Sequence, residues 1–194
     1  MKKIPLLALA LAVTASPALA HIAPLAHGSV AAGLEHPVTG PDHVLAMVAV
    51  GLWAAMAGGR ALWALPATFV GAMVAGYGLA LAGVALPMVE PMILASVILL
   101  GGMLAFAARL PLGASVAMIA AFGLAHGAAH GAEVGGAGQV AFGLGFALAT
   151  AALHGIGVGV AQSLVRLTSA ERRMTVLRGM GAATAAAGLV LAFS

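Results

Sequence analysis

Six apolar stretches, each 18 to 26 residues long, dominate this chain. They run over residues 41–58, 61–84, 91–108, 112–133, 139–164 and 174–193. A helix that crosses the hydrocarbon core of a bilayer needs about 20 consecutive apolar residues. Lipid offers no hydrogen-bond partners, so a spanning segment must satisfy its backbone internally, as a helix does. The pattern therefore predicts an all-α fold, a polytopic bundle of six transmembrane helices. Composition agrees. Of 194 residues, 63% are hydrophobic and 7% charged, and the mean hydropathy is +1.14. A soluble domain carries about 45–50% apolar and about 25% charged residues. Eight basic and five acidic side chains cannot supply its polar surface.

The chain opens on MKKIPLLALALAVTASPALA. Lys2 and Lys3, an apolar run and the ending Ala18-Leu19-Ala20 have the form of a secretory signal peptide cleaved after Ala20. The expected organisation is a signal peptide over 1–20 and a six-helix transmembrane domain over 21–194. Arginine placement then sets the orientation. With the mature N-terminus outside, Arg60, Arg109, Arg166, Arg172, Arg173 and Arg178 all fall in or beside the first, third and fifth connections. The second and fourth carry Glu90 and Glu133 and no basic residue. This follows the positive-inside rule and puts both mature ends outside.

Several function classes drop out. The chain has no cysteine, which removes disulfide, zinc-thiolate and thiol chemistry. The basic residues are scattered without interleaved aromatics, so no nucleic-acid surface is expected. No nucleotide-binding motif is present, so the chain is not expected to hydrolyse ATP. Small residues recur at four-residue spacing, as Gly123, Gly127, Gly131 and Gly135 and again as Gly143, Ala147, Ala151, Gly155 and Gly159. Such stripes let helix backbones approach closely, and both are expected to be packing faces.

The ionisable residues inside the apolar stretches carry the chemistry. Each costs about 2.5–3.5 kcal/mol to insert, so their presence points to function. One group is His36, Asp42 and His43, beside Gly40-Pro41. Thr39 is placed to cap the helix that Pro41 opens, with Asp42 three residues on in a capping-box position. Glu35 precedes the helix and serves at most to attract cations. The other group is His126, His130 and Glu133, whose spacings of four and three put them on one helical face. The first span starts outside and the fourth ends outside, so both groups converge near the external face. Imidazole and carboxylate suit borderline divalent metals such as nickel, cobalt, zinc or copper(II). Ionised Asp42 and Glu133 carry the two negative charges that one such ion neutralises. Further candidates are His154, deeper in the fifth span with Thr150 one turn before it, and Met47, one turn after His43. His21, as a mature N-terminus, would offer an amine and an imidazole with His27 nearby.

The segment HPVTGPDH, His36 to His43, resembles the HX5DH signature of the HupE/UreJ family of nickel permeases. HGAAHGAE, His126 to Glu133, resembles that family's second histidine-rich motif. In the family this motif commonly opens Phe-His-Gly, whereas here Ala125 precedes His126. A shorter relative of the first motif, HX4DH, marks the nickel/cobalt transporter family. The resemblance covers the signal peptide and all six spans. It implies a multi-pass protein of the bacterial inner membrane, with both mature ends periplasmic, that takes up nickel for hydrogenase or urease maturation. Some members carry cobalt. The expected metal ligands are His36, Asp42, His43, His126, His130 and Glu133, on the first and fourth spans. The ion is cargo, and no resident cofactor is expected. Partners are the divalent ion and the lipid bilayer; assembly as a homo-oligomer stays open. The protein is not expected to be an enzyme, although the same side chains would also suit a membrane metalloenzyme. HExxH, in which one helix gives two ligands and a base, is absent.

Overall fold

The computed structural model describes residues 28–134 and 136–193, with Glu133 described by its backbone alone. The expected signal peptide over 1–20, His21 and His27 lie outside the described residues, as does Gly135 of the first stripe. Seven helices follow in order: α1 (Val30–Thr39), α2 (Pro41–Ala57), α3 (Ala61–Leu81), α4 (Val89–Ala105), α5 (Leu112–Glu133), α6 (Gln139–Leu167) and α7 (Ala170–Ala192). Helices α2 to α7 match the six apolar stretches to within a few residues. No strand occurs among the described residues.

The six helices differ in length and in how they meet the requirement for a span. Helices α3, α5, α6 and α7 are long and apolar enough to cross a membrane. Helix α4 has 17 residues and is shorter. Helix α2 also has 17 residues, and it qualifies only together with α1, from which it bends by 87°. The ten-residue α1 is an addition to the expected set. Its length hides it from a search for spans, and it starts on a Ser29 hydroxyl that accepts from the Ala32 amide at 3.0 Å.

The break between α1 and α2 has a local cause. A proline disfavours helical backbone in the residue before it. Gly40, before Pro41, is extended with φ −91° and ψ 115°. Pro41 then opens α2, where its missing N–H costs nothing. Thr39 does not cap α2 as the sequence suggested. Its hydroxyl donates to the His36 carbonyl at 2.8 Å and closes α1 instead, because it sits on the near side of the bend.

The packing pairs are α3 with α5, α4 with α7, and α6 with both α1 and α2. The first glycine stripe does what its spacing suggested. Cβ atoms on Gly123, Gly127 and Gly131 would meet the carbonyls of Phe69, Met73 and Tyr77, one turn apart along α3. The second stripe packs only in its first half, where Gly143 meets the Tyr77 ring and Ala147 lies against the core. Gly155 and Gly159 face open space, and Ala151 is exposed. The close approaches on α6 come instead from Gly145, against the Val30 carbonyl of α1, and Gly157, against the Val48 carbonyl of α2. A helix this rich in small residues offers several four-residue registers, and only the partner helices select one.

The two ends of the bundle differ. At one, the Tyr77 hydroxyl donates to the Gln139 carbonyl at 2.8 Å, tying the end of α3 to the start of α6. At the other, Arg60 and Arg109 line a cavity of about 450 Å³, and Arg109 and Arg173 a second of about 220 Å³. Arg178 Nε donates there to the Ala105 carbonyl, at 2.8 Å, at the end of α4. Between the ends, the outward faces are apolar. Leu144, Leu148 and Ile156 of α6 and Leu189 and Val190 of α7 are all exposed, as in a protein with lipid against its sides.

Candidate metal centre

The 87° bend folds α1 across the start of α2, and α5 ends beside both. Three imidazoles meet there. His36 Nε2 lies 2.8 Å from His130 Nδ1, and His43 Nε2 lies 2.5 Å from His130 Nε2. The ring centroids stand 4.3 and 4.6 Å from that of His130. His43 and His130 are buried, at 8% and 5% exposure, and His36 is half-buried.

Asp42 orients this group. Its Oδ1 accepts from the His43 amide at 2.9 Å and lies 2.8 Å from His43 Nδ1. An ionised carboxylate only accepts, so His43 carries its ring proton on Nδ1 and a lone pair on Nε2. One set of neutral tautomers then satisfies every contact. His36 donates from Nε2 to His130 Nδ1, and His130 donates from Nε2 to His43 Nε2. A carboxylate that fixes the far nitrogen of a histidine is the usual outer partner of a metal-binding imidazole.

This cluster is closed. Two nitrogens that ligate one ion at about 2.0–2.1 Å stand about 3 Å or more apart. Those of His43 and His130 stand closer than that. Among the described residues, no group of three or more His, Asp or Glu side chains stands in an arrangement that could hold a metal ion.

The other expected ligands divide. His126 is fully buried, one turn from His130, with its ring 5.2 Å from that of His43. It bonds none of the three imidazoles; its Nδ1–H donates to the Phe122 carbonyl at 2.9 Å. Glu133 is the last residue of α5, close in sequence to His130, and its side chain lies outside the described atoms. Met47 is fully buried one turn after His43. His154 is buried on α6, away from the three-imidazole contacts, with its ring 5.1 Å from that of Phe69. Glu35 is exposed.

Two residues of the site were not legible. Phe142 and Phe146 of α6 wall it, with Phe142 at 5.5 Å from the His36 ring and Phe146 at 4.7 Å from that of His130. Nothing distinguishes these phenylalanines from ordinary lipid-facing ones until α1 is folded onto α6. The one available signal was position, since Phe146 stands eight residues before His154 on the same face.

A family model described as HupE / UreJ protein matches residues 9–191. The chain belongs to the HupE/UreJ family. It is also 43% identical, over 125 residues, to Protein HupE of Rhizobium leguminosarum bv. viciae. That alignment covers 64% of this chain and 65% of the relative, so it spans just under two thirds of that protein's length. No solved structure matches. In this HupE/UreJ chain the two histidine-bearing motifs, some ninety residues apart, are therefore in direct side-chain contact.

Replacing Asp42 with asparagine keeps its shape and removes the charge that fixes His43. Metal affinity is expected to fall about 10–100-fold, as for other outer partners of metal ligands. Calorimetric titration of the purified protein with Ni2+ measures this, and an unchanged affinity refutes the orienting role.

Proposed function

We propose that this protein is an inner-membrane permease for a divalent transition metal ion, with nickel as its first substrate and cobalt as the closest competitor. One observation carries the reading. His36, His43 and His130 come from three helices to one point at the end of the bundle away from the arginines, with Asp42 holding His43 in the ligating tautomer. Imidazole with carboxylate is the ligand chemistry of borderline divalent ions. Membership of the HupE/UreJ family supports transport over a resident catalytic metal.

In this reading the arginine end is cytoplasmic, in keeping with the positive-inside rule, and the imidazoles face the periplasm. Glu133 lies within the second motif and is proposed to add a carboxylate to the outer site. The ion sheds part of its water against His36 and His43, parts the His43–His130 contact and enters between α2 and α5. Both mature ends are then periplasmic.

Proteoliposomes with an entrapped metal-sensitive dye test the proposal. Rapid Ni2+ influx, competed by Co2+, is expected for the wild-type chain. Alanine at His36, Asp42 or His43 is expected to stop influx at unchanged protein level. Binding without influx would instead favour a membrane metalloenzyme or a sensor. Wild-type influx in the three variants would remove the cluster from the pathway.

A further inference from the structure

Two buried imidazoles stand outside the outer cluster, and three of their nitrogens are unsatisfied. The His126 Nδ1–H is used on the Phe122 carbonyl, which leaves a lone pair on Nε2, and Nε2 has no partner. His154 is 1% exposed, and neither of its ring nitrogens has a partner. A buried polar atom left unpaired costs about 1–3 kcal/mol, so native structures rarely keep one without a role. A buried histidine ordinarily bonds a nearby carbonyl or hydroxyl. His154 has a hydroxyl one turn away on its own helix, but Thr150 donates to Met73 Sδ at 3.5 Å instead.

These groups lie in order along the bundle. On α6, Phe146, Thr150 and His154 follow at four-residue steps on one face. Phe146 stands against His130 in the outer cluster. Thr150 is one turn further in, against Met73 of α3. His154 is eight residues in, about 12 Å along the helix, against Phe69. His126 is one turn in from His130 on α5, and its ring stands 5.2 Å from the same Phe69. The rings of His126 and His154 therefore both pack against Phe69, inward of the outer cluster.

We propose that His154 is an inner metal station, whose unpartnered imidazole receives the divalent ion passed inward from the outer cluster. This rests on the permease reading above. The donor set suits transit. A neutral imidazole binds borderline ions but offers less charge than the outer site with its carboxylate. A conducting site must bind weakly enough to release.

The test compares His154→Leu with His154→Met in the full-length protein. Both are apolar and of similar volume, so a packing role treats them alike; only Met offers a donor atom. His154→Leu is expected to slow Ni2+ influx into proteoliposomes about tenfold or more, on the scale of lost metal-site partners. His154→Met is expected to recover part of that loss, and both purified proteins to keep Ni2+ capture at the outer cluster. Wild-type influx in His154→Leu overturns the station, and so does His154→Met as slow as His154→Leu. Wild-type liposomes that admit no Ni2+ would defeat the permease reading instead. The station is then decided by equilibrium Ni2+ binding: one ion fewer per chain in His154→Leu supports it, and an unchanged count overturns it.

Discussion

His130→Ala is expected to abolish Ni2+ uptake while the protein still accumulates in the membrane. His130 is the hub of the outer cluster, bonding His36 through Nδ1 and His43 through Nε2. Its loss cuts the chain of imidazoles at both links and leaves the His43 ring hydrogen-bonded only to Asp42. Folding is less exposed. The residue sits near the end of α5, and the contacts of that helix with α3 run through glycines on another face. Removing one ligand from a small metal site costs about 1.4 kcal/mol for each tenfold in affinity, and here two neighbouring imidazoles lose their placement as well. Accumulation of radioactive nickel, normalised to membrane-inserted protein, measures the effect. Uptake above a tenth of wild type would show that the ion enters by another route.

Gly127→Val is expected to disrupt the bundle itself. A Cβ at this position would occupy the space of the Met73 carbonyl and press on the Tyr77 amide. Both are backbone atoms inside α3, so no side-chain rotation relieves the clash. Overpacking of side chains costs about 1–3 kcal/mol, and a collision with helix backbone forces α3 away from α5 along its length. That shift would also strain the Tyr77–Gln139 tie between α3 and α6. The expected result is loss of a monodisperse peak on size exclusion in detergent, with faster proteolysis. Gly155→Ala is the matched control, because Gly155 faces open space. It should fold as well as wild type or slightly better, since alanine is favoured over glycine in a helix by about 0.5–1 kcal/mol. Equal behaviour of the two variants would refute the assignment of packing faces.

The two stripes show where sequence reading stops. Glycines at four-residue spacing mark a flat helix face wherever they occur, and on α5 that face is used. On α6 the same spacing marked a face that turns outward at Gly155 and Gly159, while Gly145 and Gly157, twelve residues apart, make the close backbone contacts. Spacing reports which residues share a face. It does not report which face a neighbour takes, because that depends on crossing angles between helices distant in the chain. The capping role expected of Thr39 failed for a related reason. The pattern of cap and carboxylate was present, but the chain turned at Gly40 first.

What the sequence determined by itself was local. Long apolar runs made helices, because a backbone in or against apolar surroundings must satisfy its own hydrogen bonds. Pro41 and Gly40 fixed where α2 begins, and the two motifs contain the three imidazoles that meet. What only the tertiary structure decided was partnership. The 87° bend carries His36 on a separate short helix over to His130, and α6 brings Phe142 and Phe146 around them. The same packing leaves His126 and His154 inward and unsatisfied rather than in the outer cluster. Periodicity is written residue by residue, whereas the meeting of α1, α2, α5 and α6 is fixed by the close approach of backbones that no single segment encodes.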